Sequence, residues 1–321
     1  MIAVRRVQGV RDRVLRASLG LLAVTATSVG LPFLAGPVAL GPVTPVAAIV
    51  ALVTGTPSGP DAAAPAALTP GTTAPPALQP PAGVIGGNDV SWTQCPVSQG
   101  GLGNPMPGPD AHFAIVQLSL GQAFTSNPCL SDEVSSLRAQ HLPVAAYVVV
   151  TYPTNAQFAR FGGRGPYGTR TFSDRLANIG WQQAAYWVAV HAASGMHSPM
   201  VWVDVETTVH GPQWSSRTAY NLAVIRGLLA GLARSGRRTG IYTTSAHWRD
   251  VTGGVRLGQP EWRTVGPDTP SVALSVCSRP GNQGNQVVLS QYTAAGSASV
   301  DYDLLCPATA PNALAKYFTR P

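Results

Sequence analysis

Two carboxylates stand two positions apart in the apolar stretch VWVDVET, residues 201–207. Side chains alternate along a strand, so Asp204 and Glu206 share one face with Trp202. A shielded carboxylate costs several kcal/mol unless it is paired or hydrogen-bonded. Two interpretations are open: either the strand ends at Val205 and the acids lie in solvent, or the acids are held in place for chemistry.

Further acids follow other predicted strands. Asp89 lies near the end of the first strand, in GGNDVSW, and Asp301 and Asp303 follow the last strand, in SVDYDLL. Each also fits a turn or loop role. In a closed barrel the first and last strands are neighbours, so we expect Asp89, Glu206 and Asp301 to surround one mouth.

A ring of carboxylates supports two chemistries. Glycoside cleavage uses one protonated acid for the leaving oxygen and a second carboxylate for the cation-like centre, and burial and mutual repulsion separate their pKa values. A structural site for a hard divalent ion such as Mg²⁺ or Ca²⁺ is the alternative, since both ions prefer oxygen ligands.

The hydrophobic pattern predicts the elements that position these acids. Helical patterns cover residues 131–142, with Ser131 as cap, 176–195, 215–236 and 312–318. Strands are predicted at 84–92, 113–119, 144–150, 200–206, 240–244, 272–276 and 287–292. Alternation of strand and helix through residue 236 indicates a parallel sheet. We therefore predict an α/β fold, a single β/α (TIM-like) barrel with an irregular, helix-poor second half.

The first 82 residues differ from the rest of the chain. Residues 1–16 carry five arginines, and residues 17–60 carry no charge, which predicts an export signal or an N-terminal membrane anchor over 1–54. Residues 55–82 are rich in proline and alanine and are typical of a linker. The barrel domain is then 83–321, and we expect a secreted or cell-envelope protein.

The charge balance is mildly basic. The chain has 21 basic and 14 acidic residues, for a formal net charge of +7, without a basic run or a nucleic-acid motif. We expect no nucleic-acid partner, contact with a membrane only through an uncleaved anchor, and a monomer.

Four cysteines lie in the domain, and an even count behind an export signal favours two disulfides. Three pairings are possible. We favour Cys95–Cys129 with Cys277–Cys306, because each closes the shorter loop. The C-x-x-C spacing of a metal site does not occur.

Seven short motifs occur in a characteristic order: NDVSW, FAIVQLSLG, AAYVVV, VDVET, GIYTTSAHW, LSQY and VDYD. In this order they resemble glycoside hydrolase family 25, the muramidase-type lysozymes. The resemblance implies a β/α barrel that hydrolyses the β-1,4 bond between N-acetylmuramic acid and N-acetylglucosamine. It implies Glu206 as general acid, Asp204 as the group that stabilises the transition state or orients the acetamido group, and Asp89 and Asp301 as the rest of the acidic floor.

The sequence departs from the family pattern at two places. The second strand ends Gln117-Leu118-Ser119, without the family's charged pair, and serine stands at 290 where the family has tryptophan before Gln-Tyr. Another aromatic residue is expected to replace part of this tryptophan surface: Trp92, Trp202, Tyr147, Tyr242 or Trp248. The residues expected to bind substrate are Trp92, Tyr147, Trp202, Tyr242, Gln291, Tyr292 and Asp303. The histidines, among them His112, His210 and His247, show no ligand spacing and are interpreted as surface or core residues.

The leading hypothesis is an exported peptidoglycan glycosidase without a metal or other cofactor. The alternative is a catalytically weak or inactive barrel that binds cell-wall glycan. Both take peptidoglycan or a related glycan as partner.

Overall fold

The computed structural model describes residues 81–207, 213–294 and 300–320. The predicted signal or anchor, and almost all of the predicted linker, lie outside these residues. Among the described residues, no helix has the length and apolar character that crossing a membrane requires.

Eight strands form a closed barrel in which each strand pairs with its neighbours in chain order and the last pairs with the first. The strands are β1 Gly86–Val90, β2 Ala114–Gln117, β3 Val144–Val149, β4 Met200–Asp204, β5 Arg238–Thr243, β6 Glu261–Pro267, β7 Val287–Thr293 and β8 Asp301–Leu305. The α-helices are α1 Leu130–Ala139, α2 Asn155–Phe161, α3 Phe172–Ala193, α4 Thr218–Arg234, α5 Ser245–Thr252, α6 Pro270–Ser275 and α7 Ala310–Tyr317. The predicted fold class is confirmed.

The helical layer is thick on one side of the barrel and thin on the other. Helices α3 and α4 have 22 and 17 residues, whereas α5 and α6 have 8 and 6. The two long helices pack backbone to backbone, because a Cβ at Gly180 or Gly227 would collide with a carbonyl oxygen of the other helix. Thr171 caps α3 by accepting a hydrogen bond from the Asp174 amide.

Two separate apolar regions hold the barrel. Outward residues of β1 to β5, such as Val116 and Val203, pack under the helices, while inward residues such as Ile115 and Trp202 fill the barrel interior. Strands β3 and β4 are buried along their whole length, as expected for parallel strands covered on both faces.

Several predicted elements need correction. Residues 272–276, predicted as a strand, belong largely to helix α6, which Thr269 caps and Pro270 begins. Strand β6 was missed, because its sequence EWRTVGP shows no clear apolar alternation. Helix α1 begins at Leu130 with Cys129, not Ser131, in the cap position.

The last strand also differs from the prediction. Asp301 and Asp303 were predicted to follow the last strand, but residues 301–305 are themselves the last strand, β8. Strand β8 runs antiparallel to both β7 and β1. Only seven residues separate β7 from β8. A parallel crossover needs a dozen or more, so the short connection requires an antiparallel pair.

Both predicted disulfides are confirmed. Cys95 is bonded to Cys129 and Cys277 to Cys306. The first ties the segment after β1 to the start of α1, and the second ties the turn after α6 to the end of β8.

Candidate active site

The acids converge because strand polarity and side-chain alternation agree around the barrel. Asp204 ends β4, and Glu206 lies two residues further along the same face. Because β8 is antiparallel, its first residue, Asp301, reaches the mouth formed by the C-terminal ends of the parallel strands. Asp89 lies on β1 next to β8. The predicted convergence of four acids thus has a structural basis.

The acids lie at different depths. Glu206 and Asp301 are half-buried at the lip of the mouth, Asp89 and Asp204 are each 8% exposed, and Asp303 is completely buried. Asp303 accepts a hydrogen bond from the Trp262 indole nitrogen at 2.7 Å. It therefore lies below the mouth, anchored in the barrel interior.

Burial is the first cause of raised pKa values throughout the site. It raises the pKa of Asp89 to about 8, helped by the charge of Asp301 and opposed by the hydrogen bond from Gln291. The pKa of Asp204 lies well above its usual range because of burial and the charges of Glu206 and Asp89. Like charges this close cannot all ionise together, so the cluster holds protons at neutral pH.

Glu206 differs from the deeper acids. Burial raises its pKa, but the neighbouring His247 opposes that rise. Its side chain is 32% exposed, so it can hold a proton and still reach a ligand. This combination is what a general acid requires.

A chain of hydrogen bonds orients Asp89. The Tyr242 hydroxyl donates to Gln291 Oε1 at 2.7 Å, and Gln291 Nε2 donates to Asp89 Oδ2 at 2.7 Å. Thr293 donates to Asp301 Oδ1 at 2.8 Å. Asp204 differs, since its Oδ1 is buried and has no hydrogen-bond partner among the described residues.

Two residues beside Glu206 were not predicted. His247 Nδ1 lies 3.3 Å from Glu206 Oε1, and the Trp214 indole donates to the Glu206 carbonyl oxygen at 2.8 Å. Trp214 also meets Tyr152 edge to face. The position of His247 just after β5, the strand paired with β4, is the signal that could have identified it. Trp214 offered none, because it lies between the predicted strand at 200–206 and the helical pattern that starts at 215.

Of the predicted substrate contacts, Tyr147 and Tyr242 point into the barrel near the acids. Burial raises the pKa of both phenols, and the negative charges of the acids raise it further. Trp92 is half-buried in the turn after β1, at the mouth end. Gln291 faces inward with Asp89.

Three of the predicted contacts need correction. Trp202 is 0% exposed and packs against Trp262 and Tyr317 inside the barrel. Tyr292 is equally buried on the outer face, stacked on Tyr302. Asp303 is sealed beneath the mouth. Without exposed surface, none of the three can touch a sugar in this structure.

Within the described ranges, no group of three or more histidine, cysteine, aspartate or glutamate side chains is arranged to hold a metal ion.

The protein is thus a closed β/α barrel with a mouth lined by acids. Comparisons with known proteins show which barrels of this kind it resembles. The family model "Lysozyme-like protein 1" matches residues 166–263. Two curated relatives from Dictyostelium discoideum are "Probable GH family 25 lysozyme 2", 32% identical over 108 residues, and "Probable GH family 25 lysozyme 4", 35% identical over 65 residues. These alignments cover 33% and 20% of this chain.

The chain spans about half the length of the first relative, 48%, and 29% of the second. A bacterial lysozyme structure from Streptomyces coelicolor is 20% identical, with a TM-score of 0.47, over 72% of this chain and 95% of that one. Over the aligned segments, the chain is similar to a lysozyme-like family model and to two proteins named as probable glycoside hydrolase family 25 lysozymes.

Proposed function

We propose that this protein hydrolyses the glycan strands of peptidoglycan as an N-acetylmuramidase. The observation that carries the proposal is the position of Glu206, a half-exposed acid of raised pKa at the lip of a mouth lined by Asp89, Asp204 and Asp301. The names of the curated relatives point to the same activity.

The chemistry follows from the depth of each acid. Glu206 donates its proton to the glycosidic oxygen as the bond to the sugar breaks. The acids beneath it share protons, and the remaining negative charge stabilises the cation-like sugar carbon. Asp204, which keeps 8% of its surface exposed, orients the acetamido group next to that carbon. Water completes the hydrolysis.

Export is part of the proposal. Two disulfides suit an oxidising compartment outside the cytoplasm, where the substrate also lies. The signal or anchor at 1–54, the linker at 55–82 and the monomeric state stay predictions. Separation of cells into cytoplasmic, membrane and secreted fractions, followed by detection of the protein, tests the location.

The activity is tested by incubating the purified chain with purified cell wall and counting new reducing ends. We expect Glu206→Gln to lower the rate by about 10³-fold or more, since a general acid contributes about 10²–10⁴-fold. Asp250→Asn is the matched control, because Asp250 is an exposed acid on α5, paired with Arg249 outside the mouth. Mass spectrometry of the products identifies the cleaved bond.

The result also separates the two hypotheses. Equal release of reducing ends by the wild type and Glu206→Gln would refute Glu206 as the acid. Wall retention in a pull-down with no reducing ends from either protein would favour the glycan-binding alternative.

A further inference from the structure

The end of the barrel opposite the mouth, here called the base, collects basic side chains. The base comprises the N-terminal ends of the parallel strands and the C-terminal ends of the helices that precede them. Basic residues in the last turns of helices and in the segments that lead into strands or follow α7 are Arg138, Arg234, Arg237, Arg238, Arg249, Arg256, Arg279, Lys316 and Arg320. Acids at this end are Asp110, before β2, Asp250, which is paired with Arg249, and Glu261, which is buried and paired with Arg263.

A cavity of about 320 Å³ opens at the base, between the start of β5 and helix α7. Three cationic side chains line it: Arg237, Arg238 and Lys316. Arg238 and Lys316 are exposed, and Arg237 is half-buried. Neutral polar groups from Thr239, Gln259, Asn285 and Gln286 complete much of the wall, and none of the described lining residues is acidic.

The cavity cations keep free donors. Arg237 donates one bond to the Ser198 carbonyl at 2.7 Å, and Arg238 donates one to the Lys316 carbonyl at 2.8 Å. A guanidinium has five N–H donors, so one bond helps to orient each guanidinium group and leaves most of its donors unused. The ion pairs of the described residues involve other cations, namely His247, Arg249 and Arg263.

We propose that this base cavity is a second binding site, separate from the acidic mouth, for a polymer of small polyol or sugar units joined by phosphodiesters, as distinct from nucleic acid. Two fixed guanidinium groups beside an ammonium suit the oxygens of a phosphate, which arginine can bind through two parallel N–H bonds. A cavity of this size admits a phosphate together with the sugar or polyol that carries it.

Two other phosphate-bearing partners fit less well. Single-stranded nucleic acid is held by stacking its bases on exposed aromatic rings, and Tyr317, the aromatic residue of the described lining, is 4% exposed. An anionic membrane surface needs a broad cationic face and gains little from a concave cavity. A phosphodiester polymer with small polyol or sugar units uses both the charge and the cavity.

Binding of poly(glycerol phosphate) to the full chain, measured by calorimetry at low and high salt, tests the site. We expect Lys316→Gln to weaken the affinity about tenfold at low salt, since one charge-assisted contact is lost. The Lys316→Gln variant removes only the ammonium group, because the backbone carbonyl of residue 316, which accepts the hydrogen bond from Arg238, remains. Arg238→Gln added to it should weaken binding about 100-fold. Arg249→Gln, an exposed cation outside the cavity, is the matched control.

The binding assay does not depend on catalysis, so the site and the muramidase proposal can fail separately. Retained circular dichroism and retained activity on soluble glycan fragments show that the variants are folded. Absence of binding at low salt, or equal binding by the wild type and the double variant, would overturn the site. So would equal or tighter binding of a 20-nucleotide DNA strand or of anionic phospholipid vesicles.

Discussion

At the mouth of the barrel the charged groups are acidic and mostly buried, whereas at the base they are basic and mostly exposed. Asp89, Asp204 and Asp303 lie nearly or completely out of water, while Arg238 and Lys316 are open to it. Burial shifts the pKa of a carboxyl strongly, so the mouth acids hold protons that chemistry can use. Exposed cations keep their charge at little cost in stability and act through attraction that salt screens. Four predictions test this difference.

The largest effect is expected from Asp204→Ala. We expect kcat to fall about 10²–10³-fold, because the carboxyl contacts the reacting sugar. The free energy of unfolding at pH 7 should not decrease, because the deleted group is a buried carboxyl with an unpartnered oxygen. Steady-state kinetics and urea unfolding measure both. A less stable but fully active variant would assign Asp204 a structural role.

The second effect concerns Glu133, a buried acid near the mouth in the first turn of α1. Burial raises its pKa to about 8, above the ordinary value of 4.5 that it regains on unfolding. Its contribution to stability is therefore fully present below about pH 4.5 and is lost as the pH rises through 8. Glu133→Gln has no proton to lose, so it should become more stable than the wild type at pH 8–9 by a few kcal/mol, about 1.4 kcal/mol per pKa unit.

Urea unfolding across pH 4 to 9 measures this difference. Asp132→Asn, a change at the exposed neighbouring acid, is the control. A difference between Glu133→Gln and the wild type that stays constant over this range would show that Glu133 ionises freely in the folded protein.

A smaller effect is expected from His247→Gln. A protonated His247 lowers the pKa of Glu206, so its removal should let Glu206 keep its proton to higher pH. The alkaline limb of the pH–kcat profile should then move to higher pH, by a small amount because water screens the interaction of two partly exposed side chains. His247→Lys retains a cation and should not move the limb upward. An unshifted limb with a lower rate would mean that His247 only supports the loop.

The smallest effect is expected at the base. Lys316→Gln should change the free energy of unfolding by about 0.5 kcal/mol or less, because the exposed ammonium contacts only the Tyr317 ring, 4.9 Å away, among the described residues. Thermal unfolding measures the change. A loss above about 2 kcal/mol would show that the base cations are part of the folded core, and the contrast between the two ends would fail.

Local patterns predicted much of this architecture. Continuous apolar runs identified β3 and β4, because both strands are buried along their whole length. Helical periodicity identified α3 and α4, because both helices are long and bury one face. The weaker patterns failed. Strand β6 has few apolar residues, and the apolar run of α6 is too short for periodicity to separate a strand from a helix.

Some features of the candidate site were likewise predictable from local sequence, and others were not. Spacing alone placed Asp204 and Glu206 on one face, and the barrel prediction placed Asp89 beside the last strand. Which aromatic residues are accessible could not be predicted, because accessibility depends on the neighbouring strands. Tyr147 and Trp202 are partners on adjacent strands, yet Tyr147 keeps 7% of its surface exposed and Trp202 none.

The sequence by itself determined the strand that carries Asp204 and Glu206, the order of the β/α units and the four half-cystines, since these depend on residue type and short-range spacing. The tertiary structure decided that β8 is antiparallel and brings Asp301 to the mouth, that His247 meets Glu206, and that Arg238 and Lys316 share a cavity. The residues in each of these contacts are separated along the chain by 41 residues or more, or by most of the domain. Closure of the barrel brings them together, and local spacing does not specify which of these side chains then meet.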